Sequence, residues 1–128
     1  MSREGSVGSS FGRIGSGRGI QAEQLVSGAF SGRLAERKVP KWLVGIERAD
    51  PVDEGKGVDF WILTRDTGKI PLQIKSSRRS KILAEQKHQN VPVVIVKLGE
   101  SSDLIFDHCL GVIGTERARY LKARGLDV

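Results

Sequence analysis

The sequence predicts a single α/β domain in which helices cover the faces of a mixed β-sheet. Apolar residues recur first at helical spacing and then in short strand-like runs, in the order α, β, β, β, α, β and a final helix. A polar stretch long enough for a helix separates the third and fourth strands, and a crossover of this kind implies a mixed sheet. A chain of 128 residues has room for one such domain.

The first helix is predicted from Gln21 to about Lys38. Leu25, Val26 and Phe30 recur at helical spacing there, and Pro40 stops the pattern. Residues 1–19 are rich in Gly, Ser and Arg, and so few apolar groups cannot offset the entropy lost on ordering. We therefore expect a flexible arm over residues 1–19 and one folded domain over residues 20–128.

Three strands are expected next. They are Trp42–Ile46, Val58–Leu63 and Ile70–Ser76. Residues 50–57 contain one Pro and two Gly and are predicted to form a loop, while Asp66, Thr67 and Gly68 suit a tight turn. The last two strands therefore form a hairpin.

The second half of the chain begins with a basic helix from about Arg79 to Gln89. Val91–Leu98 is a nearly continuous apolar run, which predicts a central strand buried on both faces. Residues 115–124 are expected to be helical, with Thr115 as a cap and Gly125 as a stop. Residues 104–112 fit a strand or a helix.

Charge and composition restrict the functional classes. The 21 Lys and Arg exceed the 15 Asp and Glu by six, so an anionic partner is expected, and nucleic acid is the commonest one. The single cysteine, Cys109, excludes an internal disulfide and a cysteine-based zinc cluster. The chain has neither the roughly 18 consecutive apolar residues of a membrane helix nor the layout of a secretory signal, so we expect a cytoplasmic protein without membrane contact.

The predicted hairpin brings chemistry-bearing residues to one face. Gln73 and Lys75 point the same way because side chains alternate along a strand. If the hairpin closes symmetrically about Thr67, the numbers of opposed residues sum to 134, and Asp59 lies opposite Lys75. Asp59 then offers a hard oxygen ligand to Mg²⁺, with the Gln73 amide and the Ile74 backbone carbonyl as neutral oxygen donors. Lys75 can orient a water and stabilise developing negative charge.

This pattern resembles the PD-(D/E)xK nuclease superfamily. Gly57-Val58-Asp59 with Gln73-Ile74-Lys75, inside an αβββαβ order, is most similar to its Mrr-type and Holliday-junction-resolvase-like branches, in which Gln-x-Lys is an accepted variant. The resemblance implies a restriction-endonuclease-like fold and a nuclease that uses Mg²⁺, with Mn²⁺ able to substitute. Gln73 stands where Glu or Asp is more usual, and Val58 stands where the motif has Pro.

An acidic residue on the first helix often completes the site in such families. Glu23 is preferred on this resemblance, either beside Gln73 or in its place as a metal ligand. Glu36 lies as near the apolar face of the predicted helix, and Glu47 is a third candidate, so periodicity does not choose among them.

A basic group directly follows the motif, and in the resembling nucleases this region borders the scissile phosphate. We therefore expect contacts to nucleic acid from Ser77, Arg78, Arg79 and Lys81.

The leading hypothesis is a metal-dependent nuclease acting on DNA in preference to RNA. Its small size leaves little surface for reading sequence, so structure-selective or partner-directed cleavage is favoured. Homodimerisation would supply two cuts, although no feature of the sequence establishes it. The alternative is a catalytically inactive nucleic-acid-binding or assembly module of the same fold, motivated by the missing carboxylate at Gln73.

Overall fold

The computed structural model describes residues 17–126, with side chains from residue 20 onward. This part of the chain contains four helices and four strands, which are α1 (Gly17–Ala35), β1 (Leu43–Arg48), α2 (Pro51–Gly55), β2 (Phe60–Thr64), β3 (Lys69–Lys75), α3 (Arg78–Lys87), β4 (Val93–Ile95) and α4 (Ser102–Ala123). The predicted α/β class with a mixed sheet is confirmed.

The strands form one sheet in the order β1-β2-β3-β4. The first three strands are antiparallel neighbours, and β4 runs parallel to β3 after the α3 crossover. Helices α1 and α4 pack on the face that carries Phe60, Leu72 and Ile74, and their own Phe30 and Phe106 rings meet there with centroids 5.0 Å apart. Gln73 and Lys75 alternate with these core residues and therefore face the other side of the sheet, where α3 lies.

Helix α1 follows the predicted apolar stripe but begins earlier. Ala22, Val26 and Phe30 are buried at helical spacing against the sheet. The helix starts at Gly17 instead of Gln21, so residues 17–19 belong to it, and the rest of the predicted arm lies outside the described residues. It ends at Ala35, and the chain reverses through Arg37 at φ 58°.

Helix α4 contains residues 104–112, for which the sequence fits both a strand and a helix. Ile105, Phe106, Cys109 and Ile113 are buried along one side of it. Ser101 caps its start by accepting a hydrogen bond from the Leu104 N–H at 3.1 Å. The prediction of Thr115 as a cap was wrong, because Thr115 lies inside the helix and its hydroxyl donates to the Gly111 carbonyl. No helix in the described part of the chain is long and apolar enough to cross a membrane.

Strand β4 is shorter than expected and lies elsewhere in the sheet. Only residues 93–95 form the strand, and it is at the edge of the sheet, so the prediction of a central strand over Val91–Leu98 was wrong. Val93, Val94 and Val96 are nevertheless buried, since α3 and α4 cover the two faces of the sheet beside it. The residues of this run are apolar because helices cover both faces of the strand, and an edge strand can be covered in this way as well.

The β2–β3 hairpin closes one residue earlier than predicted. Opposed residues such as Phe60 and Leu72 have numbers that sum to 132 instead of 134, so Asp59 does not lie opposite Lys75. The reason is local: the Thr64 hydroxyl accepts from the Thr67 N–H at 3.0 Å, and the Thr64 N–H donates to Gly68, which centres the turn on Asp66. Because this sum changes by an even number, each side chain of the hairpin stays on the face of the sheet that the sequence predicts.

Candidate metal centre

Three carboxylates from three different elements meet at the end of the sheet. Glu23 comes from α1, Glu54 from α2, and Asp59 from the residue that precedes β2. One carboxylate oxygen of each lies within 4.8 Å of the others. Helix α1 packs on one face of the sheet, and Glu54 lies with Gln73 on the other face. The group therefore reaches from one face of the sheet to the other at this end. We call these three residues the acidic cluster.

Glu23 is the most buried member of the acidic cluster. Its residue is only 5% exposed, and its Oε1 accepts a hydrogen bond from Arg48 Nη1 at 2.9 Å. The same guanidinium lies 5.4 Å from the centroid of the Phe60 ring. A buried carboxylate needs such a partner, because removing the charge from water is costly. The alternatives left open by the sequence lie elsewhere: Glu36 pairs with Lys38 at 3.9 Å, and Glu47 pairs with Lys69 at 2.7 Å.

Asp59 is held by the backbone of β3. Its Oδ2 accepts the N–H of Ile74 at 2.7 Å. In the parallel ladder with β4, Gln73 donates to Pro92, and Lys75 accepts from Val96. The backbone groups of Ile74 therefore point the other way, so its carbonyl lies on the edge that faces Asp59.

Gln73 carries a polar atom whose hydrogen-bonding capacity is unused. The residue is 6% exposed, and its Oε1 is a buried oxygen without a hydrogen-bond partner. Such an atom costs roughly 1–3 kcal/mol when it stays unpaired, so native proteins usually give it a partner such as an ordered water or an ion. Gln73 lines a pocket together with Glu54 and Lys75, so this residue lies beside the acidic cluster.

Glu54 was not predicted from the sequence, because residues 50–57 were expected to form a loop. They contain the short helix α2, which starts with Asp50 accepting from the Asp53 N–H at 2.8 Å and with Pro51 in its first turn. Trp61 Nε1 donates to Asp53 Oδ2 at 3.0 Å and holds α2 against β2. The signal was present as a capping residue before Pro51, which is a common start of a helix.

A pocket of about 440 Å³ adjoins the acidic cluster between α2, β3 and α3. Glu54, Gln73 and Lys75 line one side of it, and α3 supplies the other. The His88 ring packs directly on Gly57, where an added Cβ would lie 2.4 Å from His88 Cγ. This close approach fixes the end of α3 to the segment that carries Glu54 and Asp59.

The structure separates the basic residues that were grouped in the sequence. Ser77 caps α3 by accepting from the Ser80 N–H at 3.1 Å, and Arg78 and Arg79 are exposed at the start of this helix. Lys81 instead faces a groove along β4 and does not line the pocket beside the acidic cluster. Lys75, half-buried, is the predicted cation that lies at the pocket.

The donor set fits a hard divalent cation. Three carboxylates offer anionic oxygen ligands, and Gln73 and the Ile74 carbonyl add neutral oxygen atoms. Mg²⁺ and Mn²⁺ favour such all-oxygen surroundings, whereas zinc prefers nitrogen and sulfur. The residues that could hold a cation are therefore Glu23, Glu54 and Asp59, with Gln73 and the Ile74 carbonyl as neutral donors.

Comparisons of the chain with protein-family models, curated proteins and solved structures found no match.

Proposed function

We propose that the protein is a metal-dependent nuclease of restriction-endonuclease-like fold that hydrolyses phosphodiester bonds in DNA. The element order supports this proposal, because an antiparallel meander of three strands, a crossover helix and a parallel fourth strand follow the first helix. A net charge of +6 suits a polyanionic substrate.

The observation that carries the proposal is that Gln73 and Lys75 line a pocket that adjoins the acidic cluster. Glu23 and Lys75 lie 52 positions apart in the sequence. They belong to separate elements that both reach this end of the sheet. A structural ion pair needs only two opposite charges, whereas this group places three carboxylates beside a buried amide side chain.

Each residue then has a defined role in hydrolysis. A Mg²⁺ ion bound here would supply Lewis-acid chemistry toward a phosphoryl oxygen and a water. Glu23, Glu54 and Asp59 would hold it together with Gln73, and the Ile74 N–H fixes the Asp59 carboxylate. Lys75 binds a non-bridging oxygen of the scissile phosphate, orients the attacking water and stabilises the negative charge that develops in the transition state.

The surface outside this site is small for reading a base sequence. We therefore infer cleavage directed by DNA structure or by a partner protein. A panel of single-stranded, duplex, flap and four-way-junction DNA, incubated with Mg²⁺ or Mn²⁺, tests both the activity and the substrate. Cleavage is expected with at least one member of the panel, and EDTA should abolish it.

Three variants are informative, since each removes one charge with little change in side-chain volume: Asp59→Asn, Glu54→Gln and Lys75→Met. Glu47→Gln is the matched control, because Glu47 is an exposed carboxylate paired with Lys69 outside the acidic cluster. Lys75→Met should lower the cleavage rate by at least about 100-fold. Equal rates in all four variants would contradict the proposed site, and metal-dependent DNA binding without cleavage would favour an inactive binding module.

A further inference from the structure

The pocket beside the acidic cluster extends along one face of α3. Ser80, Leu83, Ala84, Lys87 and His88 line it, and their spacing of three and four residues places them on one stripe of the helix. Glu54 belongs both to this pocket and to the acidic cluster. A ligand that reaches the cluster can therefore continue onto α3.

The α3 side of the pocket is rich in hydrogen-bond donors. Lys87 contributes an ammonium, Ser80 a hydroxyl and His88 an imidazole, and Lys75 lies across the pocket from them. The acidic residue among the lining residues is Glu54, whose carboxylate is shared with the acidic cluster. This combination of lysine, hydroxyl and imidazole suits an anion with several acceptor oxygens, such as a phosphate group.

A close packing contact fixes the position of the α3 side of the pocket. Gly57 is buried at φ +89°, and the ring of His88 occupies the space that any Cβ at this position would need. The end of α3 is thereby tied to the segment between Glu54 and Asp59. The His88 imidazole, held in this way, loses little entropy when a ligand binds.

We propose that Lys87, His88 and Ser80 form a second phosphate subsite. It binds the phosphodiester that neighbours the scissile one on the same strand. This inference rests on the proposed function, since a strand with one phosphate at the acidic cluster must carry its next phosphate close by. The subsite adds affinity without reading bases and holds the strand in register for cleavage.

Binding of a labelled DNA duplex, measured by fluorescence anisotropy over a salt series, tests the subsite separately from catalysis. Ca²⁺ replaces Mg²⁺, and a gel afterwards verifies that the duplex is intact. Lys87→Gln is compared with Lys122→Gln, a matched control because Lys122 is an exposed lysine on α4, which packs on the opposite face of the sheet. Both lysines are exposed, so both variants are expected to fold.

The slope of log K against log[salt] should become shallower by about 1 in Lys87→Gln and stay unchanged in Lys122→Gln. Equal slopes in the wild type and both variants would overturn the subsite and leave the nuclease proposal standing. A wild type without salt-dependent binding would contradict both proposals. Binding of inorganic phosphate that is lost in Lys87→Gln, together with an unchanged DNA slope, would assign the pocket to a free phosphate ion and also overturn the strand subsite.

Discussion

The contact between Gly57 and His88 yields the sharpest prediction about stability. Gly57→Ala introduces two separate penalties. The backbone at φ +89° is unfavourable for an L-residue, which costs about 1–2 kcal/mol. The new Cβ would also lie 2.4 Å from Cγ and 2.9 Å from Cβ of His88, and relief of such overpacking costs about 1–3 kcal/mol more.

Gly68 provides the matched control for the first penalty. Its φ is +74°, but a Cβ added there meets no atom within 4 Å, so Gly68→Ala should cost only the backbone term of about 1–2 kcal/mol. Gly57→Ala should therefore be the more destabilising variant, by about 1–3 kcal/mol. In a His88→Ala background the clash is removed, so the cost of Gly57→Ala measured against His88→Ala should fall toward that of Gly68→Ala.

Urea unfolding of the wild type, the three single variants and the double variant gives the free energies, provided that the slopes with denaturant agree. A difference between Gly57→Ala and Gly68→Ala below about 0.5 kcal/mol would refute the packing argument, since that is the usual limit of additivity. The absence of any rescue by His88→Ala would refute it as well.

Three further predictions concern single residues. Burial raises the pKa of the Cys109 thiol from 9.0 to about 12, so the folded protein keeps this proton where the unfolded chain loses it. Relative to Cys109→Ala, the free energy of unfolding should fall between about pH 9 and 12, by at most about 1.4 kcal/mol per pH unit in urea titrations. The Arg117 guanidinium lowers the pKa of Asp66 below 3.8 through hydrogen bonds. Asp66→Asn should therefore lower Tm at pH 7, and the Tm difference from the wild type should vanish in calorimetry as the pH falls through the folded pKa; a constant difference would contradict this. Gln73→Glu adds a buried carboxylate beside the acidic cluster, so it should destabilise the metal-free protein and tighten Mn²⁺ binding, and weaker binding in calorimetric titration would exclude Gln73 as a ligand.

The sequence was sufficient to predict the order of the four strands and the three longer helices, because alternation and helical spacing survive in each of these segments. The faces of Gln73 and Lys75 were predictable for the same reason. The predicted register of the hairpin was wrong, and the numbers of opposed residues sum to two less than predicted. The Thr64 hydroxyl accepts a hydrogen bond from the Thr67 N–H and moves the centre of the turn. Hydrogen bonds of this kind depend on a single hydroxyl and leave no periodic signal.

The position of β4 and the role of Glu54 required the tertiary structure. A strand covered on both faces has the same apolar pattern at the centre and at the edge of a sheet. Helix α2 has five residues, too few for a periodic pattern, and its place depends on the hydrogen bond from Trp61 to Asp53. The choice among Glu23, Glu36 and Glu47 also came from geometry, because only Glu23 belongs to the acidic cluster.

Calorimetric titration with Mn²⁺ tests the central claim most directly, namely that the acidic cluster holds a divalent cation. The wild type and Glu47→Gln should bind Mn²⁺ with equal affinity at neutral pH. Asp59→Asn and Glu54→Gln should each bind it markedly more weakly while keeping the wild-type circular dichroism spectrum. A wild type that binds no Mn²⁺, or four proteins with the same affinity, would contradict the assignment of this cluster as a metal centre.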